Sequence, residues 1–140
     1  DAIHTTLVHG IRSDDPDTRL GDITAFGDMG ILDRAQIRDV ASYVRTLSGL
    51  EPASNVDVAA GQQVFADNCA ACHGADGKGN QELGAPNLTD KVWLYGSDIE
   101  TIQTTITHGR GGVMPAWTDR LDPTTIKSLA VYVHGLGGGQ

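Results

Sequence analysis

Five residues constrain this chain more than any others: Cys69-Ala70-Ala71-Cys72-His73. Two thiols three positions apart, followed at once by an imidazole, form the attachment pattern for c-type haem. Both sulfurs add to porphyrin vinyl groups and the histidine ligates iron. On one helical turn the sulfurs reach neighbouring edges of the ring while the next side chain rises towards its centre. Two other uses of paired cysteines fit less well. A closed zinc site of thiolates needs a second pair, and the chain has only 2 cysteines. A redox dithiol of the thioredoxin kind needs a βαβ setting, and no alternating β-branched strand precedes Cys69.

Composition supports the same reading. Aromatic residues make up 5% of the 140, so a domain of this size has a thin core unless something large and apolar fills it, as a porphyrin would. A net charge of −8 excludes nucleic acid as a partner, because phosphates call for a basic face, and instead suits a basic protein partner. No run of about 18 apolar residues occurs, so neither a membrane span nor a secretory signal is expected within the chain. Any anchor is expected upstream of Asp1.

In chain order, Ile3, Leu7 and Val8 form a short apolar stripe that stops at His9-Gly10, where glycine suits a helix end. A polar loop follows. Asp33 and Gln36 have the spacing of a capping box, and Ile37, Val40, Ala41, Val44 and Leu47 recur with helical period up to Ser48-Gly49. Residues 51–56 read as a linker. A helix is expected from Asp57 to the cysteines, with Gly61 and Phe65 on one face packing against Tyr132 where the first and last helices of the unit cross. Gly84 to Leu88 is extended around Pro86. Ser97 with Glu100 is expected to cap a helix lined by Ile99, Ile102 and Ile106 that ends at His108-Gly109. Asp122 and Pro123 open a last helix whose buried stripe is Ile126, Leu129, Ala130 and Val133, and Gly135 to Gly139 let it fray.

The chain echoes itself. Thr5-Thr6-Leu7-Val8-His9-Gly10 matches Thr104-Thr105-Ile106-Thr107-His108-Gly109, an offset of 99 residues. Ile23-Thr24-Ala25-Phe26 sits where Met114-Pro115-Ala116-Trp117 sits, and Leu32-Asp33 matches Leu121-Asp122. Tyr43-Val44 matches Tyr132-Val133 at an offset of 89. Four regions are expected: residues 1–50, the back half of a second copy without its attachment motif; a linker, 51–56; a complete unit, 57–137; and a tail, 138–140.

Haem iron takes a second axial ligand. Methionine sulfur is soft and neutral, and pairing it with histidine raises the reduction potential and suits electron transfer. Met114, in a loop between two helices and outside any helical stripe, is the favoured candidate; its ordinary alternative is a gap-filling core residue. The competing arrangement is bis-histidine ligation through His108 or His134, although both close helices, where a positive ring is favoured anyway. Met29 reads as a loop side chain or as a ligand belonging to an incomplete first domain. His4 and His9 have no attachment motif nearby and read as solvated or capping. Arg110, Trp93 and Tyr95 are candidates to hold haem propionates. Pro86 is a candidate to orient His73 through its carbonyl.

Cys69 to His73, the run from Gly84 to Asp90, Trp93-Leu94-Tyr95-Gly96 and Met114-Pro115-Ala116-Trp117 together resemble class I cytochromes c. More closely, they resemble the second haem domain of the dihaem subunit, subunit III of the CcoP type, of cbb3-type cytochrome c oxidases. The resemblance covers residues 57–137, with 1–50 similar to the tail of the first haem domain. It implies an all-α class I cytochrome c fold, three to five helices around one covalent haem c, preceded by a truncated half-domain of the same kind. It also implies haem attachment at Cys69 and Cys72, and axial ligation by His73 and Met114. The implied role is non-enzymatic: an electron relay in the periplasm, anchored by a segment absent here, between a donor cytochrome c and the catalytic subunit of the oxidase. Ile23-Thr24 departs from the pattern, because the first domain of that family is expected to show a ligand methionine and proline there. Rival functions are a cytochrome domain serving a dehydrogenase or another reductase, a haem peroxidase with an open sixth position, and a structural or sensory haem module.

Overall fold

The computed structural model describes residues 1–137. Among these, regular structure is entirely helical, as the sequence implies: α1 (Ala2–His9), α2 (Arg34–Leu47), α3 (Val58–Asn68), α4 (Ala70–His73), α5 (Ile99–His108) and α6 (Pro123–Gly135). Among the described residues, isolated bridges are the only β pairing. Among the described residues, no helix is long and apolar enough to cross a membrane. The tail at 138–140, with the fraying expected as far as Gly139, lies outside the described residues.

The helix ends follow local chemistry. Asp33 accepts hydrogen bonds from the amides of Ala35 and Gln36, while the Gln36 side chain returns to the Asp33 amide, completing the expected capping box. Asp57 caps α3 through the Ala60 amide, and Asp122 caps α6 with Pro123 inside the first turn. At α5 the cap is Asp98, which accepts from the Thr101 amide at 2.8 Å, and not the expected Ser97. Both spacings were available, and a carboxylate complements the positive helix N-terminus better than a hydroxyl does.

The chain divides into two units. One unit is Asp22–Gly111; the other joins Asp1–Gly21 to the chain from Gly112 onward. In the larger unit α2 packs on α3 and α5. Its core is Leu32, Ile37, Val40, Val44 and Phe65, with Phe26, Tyr43, Leu47, Leu88, Trp93 and Ile106 packed around it. The α2–α3 crossing depends on Gly61, whose missing side chain leaves room for the Asp39 carbonyl and the Val40 amide. Beside it the rings of Tyr43 and Phe65 meet at 5.3 Å, tilted by 59°.

This corrects the expected partner of α3. Tyr43 occupies the place assigned to Tyr132, which is 65% exposed. The physical reason is the internal repeat, because α2 carries the same apolar stripe as α6 and meets α3 through it. The expected burial of Val133 is likewise not found, since it is 40% exposed.

In the smaller unit α1 packs on α6 and Ile126 is buried. Ile11 and Met114 exchange two backbone hydrogen bonds of 2.9 Å, and the Trp117 amide donates to the Leu7 carbonyl at 3.0 Å.

Gly61→Ala drives a methyl group into the α2 backbone and is expected to cost about 3 kcal/mol, lowering Tm by roughly 10 °C. Thermal unfolding followed by circular dichroism measures this. Gly135→Ala in α6, where the added carbon meets nothing within 4 Å, is expected to leave Tm unchanged or raise it.

Candidate haem site

The attachment residues sit where α3 runs into α4, in the larger unit. Cys69 closes α3 by donating its amide to the Phe65 carbonyl at 2.8 Å, and its own carbonyl accepts from the amides of Cys72 at 3.2 Å and His73 at 2.9 Å. One helical turn thus carries both thiols and the imidazole. Both cysteines are free, Cys69 half-buried and Cys72 exposed. Burial, reinforced by the charge of Cys72, pushes the Cys69 thiol up to about 11, so it stays protonated at neutral pH.

His73 is aimed by a hydrogen bond. Its Nδ1 lies 3.0 Å from the Pro86 carbonyl. A carbonyl only accepts, so Nδ1 carries the proton and Nε2 keeps a free lone pair. Burial lowers the His73 pKa, opposed in part by the Pro86 hydrogen bond. The neutral imidazole that iron requires is therefore the favoured form. This is the role for Pro86 expected from the sequence.

A closed loop sets the position of that carbonyl. The Gly79 amide donates to the His73 carbonyl at 2.7 Å, Asn80 and Ala85 exchange backbone hydrogen bonds of 2.9 Å, and the Leu88 amide donates to Gly77 at 2.7 Å. Gly79 has φ +83°, and a side-chain carbon there would stand 2.5 Å from the Ala85 carbonyl oxygen and 2.6 Å from the Pro86 carbonyl carbon. Only glycine fits this turn. No composition rule picks it out among the 18 glycines; its signal, visible only in retrospect, is its place between His73 and Pro86.

Trp93 packs half-buried at the edge of the core. The Arg110 guanidinium lies over the Tyr95 ring, 4.3 Å from its centre, and its Nε donates to Thr105 Oγ1 at 3.1 Å. Tyr95 and Arg110 are thus brought together, with the tyrosine ring about half exposed. Leu83, Val92 and Leu94 also stand exposed. Free thiols on one turn and an oriented neutral imidazole fit a covalent haem.

The remaining candidates fall elsewhere. Met114 belongs to the smaller unit and is half-buried in its pairing with Ile11. His108 is engaged at Nδ1 by the Asp28 carboxylate at 2.9 Å, and His134 is exposed on α6. Met29 is 67% exposed in a turn. His9 pairs with Asp15 at 3.0 Å, a contact the sequence reading missed because it spans a loop without helical or strand period. A cleft of about 1040 Å³ beside Asp28, Arg34, Arg38, Glu100 and His108 includes none of the attachment residues.

The family described as cytochrome c oxidase, cbb3-type, subunit III matches residues 56–133. The chain belongs to that family. Curated relatives agree. It is 62% identical over 138 residues to a cbb3-type cytochrome c oxidase subunit FixP of Bradyrhizobium sp. (strain ORS 278), covering 99% of this chain and 48% of that protein. It is 59% identical over 138 residues to the FixP subunit of Azorhizobium caulinodans, covering 99% and 46%. It is 51% identical over 141 residues to the CcoP subunit of Cereibacter sphaeroides, covering 100% and 48%. The chain therefore spans about half the length of these relatives. Membership in the family agrees with the resemblance carried by Cys69 to His73 and the Pro86 to Gly96 run.

Gly79→Ala is expected to displace the Pro86 carbonyl from His73 Nδ1. The imidazole then becomes a weaker donor to iron, and the reduction potential of the haem-loaded protein rises. Potentiometric titration measures the shift. An unchanged potential would remove the Pro86 carbonyl from any role in tuning the site.

Proposed function

We propose that the chain is an electron-relay domain carrying one haem c, attached through Cys69 and Cys72 and ligated by His73 and Met114. It passes electrons from a donor cytochrome c to the catalytic subunit of a cbb3-type oxidase. The observation that carries this reading is the oriented His73, with Nε2 free beside two free thiols on one turn. When bound, the haem supplies one-electron cycling between ferric and ferrous iron.

The chain's own residues do the rest. Cys69 and Cys72 fix the ring edge, so that no dissociable contact is needed to keep the cofactor in register. The Pro86 carbonyl holds the His73 ring at one rotation and keeps its tautomer fixed. As ligand, Met114 would supply a neutral thioether, which favours the reduced state of the iron. Arg110, held by Thr105 and by the Tyr95 ring, would pair with a propionate, with Tyr95 and Trp93 as further donors. No side chain is required to move a proton, so the domain itself is not an enzyme.

The net charge of −8 attracts a basic donor, with an association rate that falls as salt rises. The compartment proposed is the periplasm, with anchoring through a segment outside this chain. The names of the relatives favour an oxidase partner over a dehydrogenase.

Met114→Ala is expected to abolish the ferric charge-transfer band of methionine–iron ligation. It is also expected to lower the potential by at least about 0.1 V, a part of the roughly 0.8 V over which axial ligands set haem potentials. Optical spectroscopy with potentiometry measures both. A variant indistinguishable from the parent would remove Met114 from the iron.

A further inference from the structure

Thr105 uses its hydroxyl unlike three other helical hydroxyls of the chain. Thr107 donates to the Gln103 carbonyl at 2.7 Å, Ser128 to Thr124 at 2.9 Å and Thr6 to Ala2 at 2.9 Å. Each returns to its own helix four residues earlier, a common use of such a group. Thr105 instead accepts from Arg110 Nε at 3.1 Å. The internal repeat supplies a control. Thr6 is the equivalent of Thr105 at the offset of 99, but the equivalent of Arg110 is Ile11, whose side chain has no N–H to offer. Where the cation is missing the hydroxyl bonds its own helix; where it is present the hydroxyl holds the cation.

Arg110 is fixed at three points, all within the larger unit. Gly109 ends α5 with φ +70°, and the Arg110 side chain returns to the last turn of that helix. The Ile23 amide donates to the Arg110 carbonyl at 3.1 Å, the Tyr95 ring lies 4.3 Å from the guanidinium carbon, and Thr105 takes Nε. A counter-charge is missing. The chain has 18 aspartates and glutamates against 10 lysines and arginines, yet the ion pairs among the described residues are His9 with Asp15, Lys78 with Asp76 and His108 with Asp28. None includes Arg110. Holding a half-buried guanidinium still without an anion is costly, and a ligand carboxylate would offset that cost. With Nε occupied, the edge formed by the two Nη nitrogens is the one left for a bidentate pair.

We infer that Thr105 is a positioning residue: by taking Nε, its hydroxyl commits the Nη edge of Arg110 to a haem propionate and so raises the reduction potential. This rests on the reading of Arg110 as the partner of a propionate. The negative charge of a propionate favours ferric iron, and a cation fixed beside it offsets that charge. A guanidinium left to swing into solvent offsets less of it, because an unconstrained pair loses to side-chain entropy and screening. The hydroxyl touches neither iron nor porphyrin in this account; it acts through Arg110.

A double-mutant cycle on the reduction potential of the haem-loaded protein tests this. Thr105→Val keeps the shape of the side chain and removes the acceptor; it is expected to lower the potential, in the same direction as Arg110→Gln and by less. Thr105→Ser keeps the hydroxyl and loses the methyl group, and is expected to stay at the parent potential. In the Arg110→Gln background, Thr105→Val is expected to have no further effect. A change in packing alone gives the reverse pattern, since it follows the lost methyl group and persists without the arginine. A Thr105→Val protein at the parent potential, or an equal shift with and without Arg110, would overturn the positioning role and leave the pairing of Arg110 with a propionate standing. If Arg110→Gln itself leaves the potential unchanged, the propionate reading of Arg110 fails, and this inference fails with it.

Discussion

A missing side chain at position 61 lets α3 approach another helix until it touches backbone, and much of the larger unit depends on that contact. The crossing at Gly61 sets Phe65 against Tyr43 and closes the core over Val40 and Val44. It also fixes the C-terminal end of α3, where Cys69 begins the turn that carries the second thiol and His73. A rotation of α3 would carry thiols and imidazole away from Pro86 together. The packing of an apolar stripe and the aim of the His73 imidazole are thus one constraint expressed at two places, and rigid elements hold a site better than loops do.

The second support is the loop from Gly74 to Leu88, which is held mostly by its own backbone. Gly79 permits the tight return that brings the Pro86 carbonyl to His73, while Asn87 accepts from the Thr89 amide and hydroxyl to fix the exit. The loop carries no apolar stripe, so its order comes from these hydrogen bonds and from Leu88 reaching the core.

Much of this was legible in the sequence. The capping box at Asp33 and Gln36, the helix start at Asp57, Pro123 after its Asp122 cap, and the contact of Pro86 with His73 all follow from local chemistry acting over a few residues. Ser97 lost to Asp98 because adjacent cap residues offer nearly the same spacing. The partner of α3 was not legible for a different reason. Periodicity shows that a helix has an apolar face but not which face it meets, and here two helices carry one pattern. Tyr43 and Tyr132 are equivalent in sequence, and the structure places the first of them against Phe65. The repeat was visible; the pairing it allows is a long-range property that no local rule decides.

Membership in the cbb3-type oxidase subunit III family and the free thiols on one turn with an oriented imidazole converge on a covalent haem c. Mass spectrometry of the purified, denatured protein tests that claim most directly. The account predicts the polypeptide mass plus one haem, with the added mass on the peptide containing Cys69 to His73. A bare polypeptide, or a haem lost on denaturation, would contradict it.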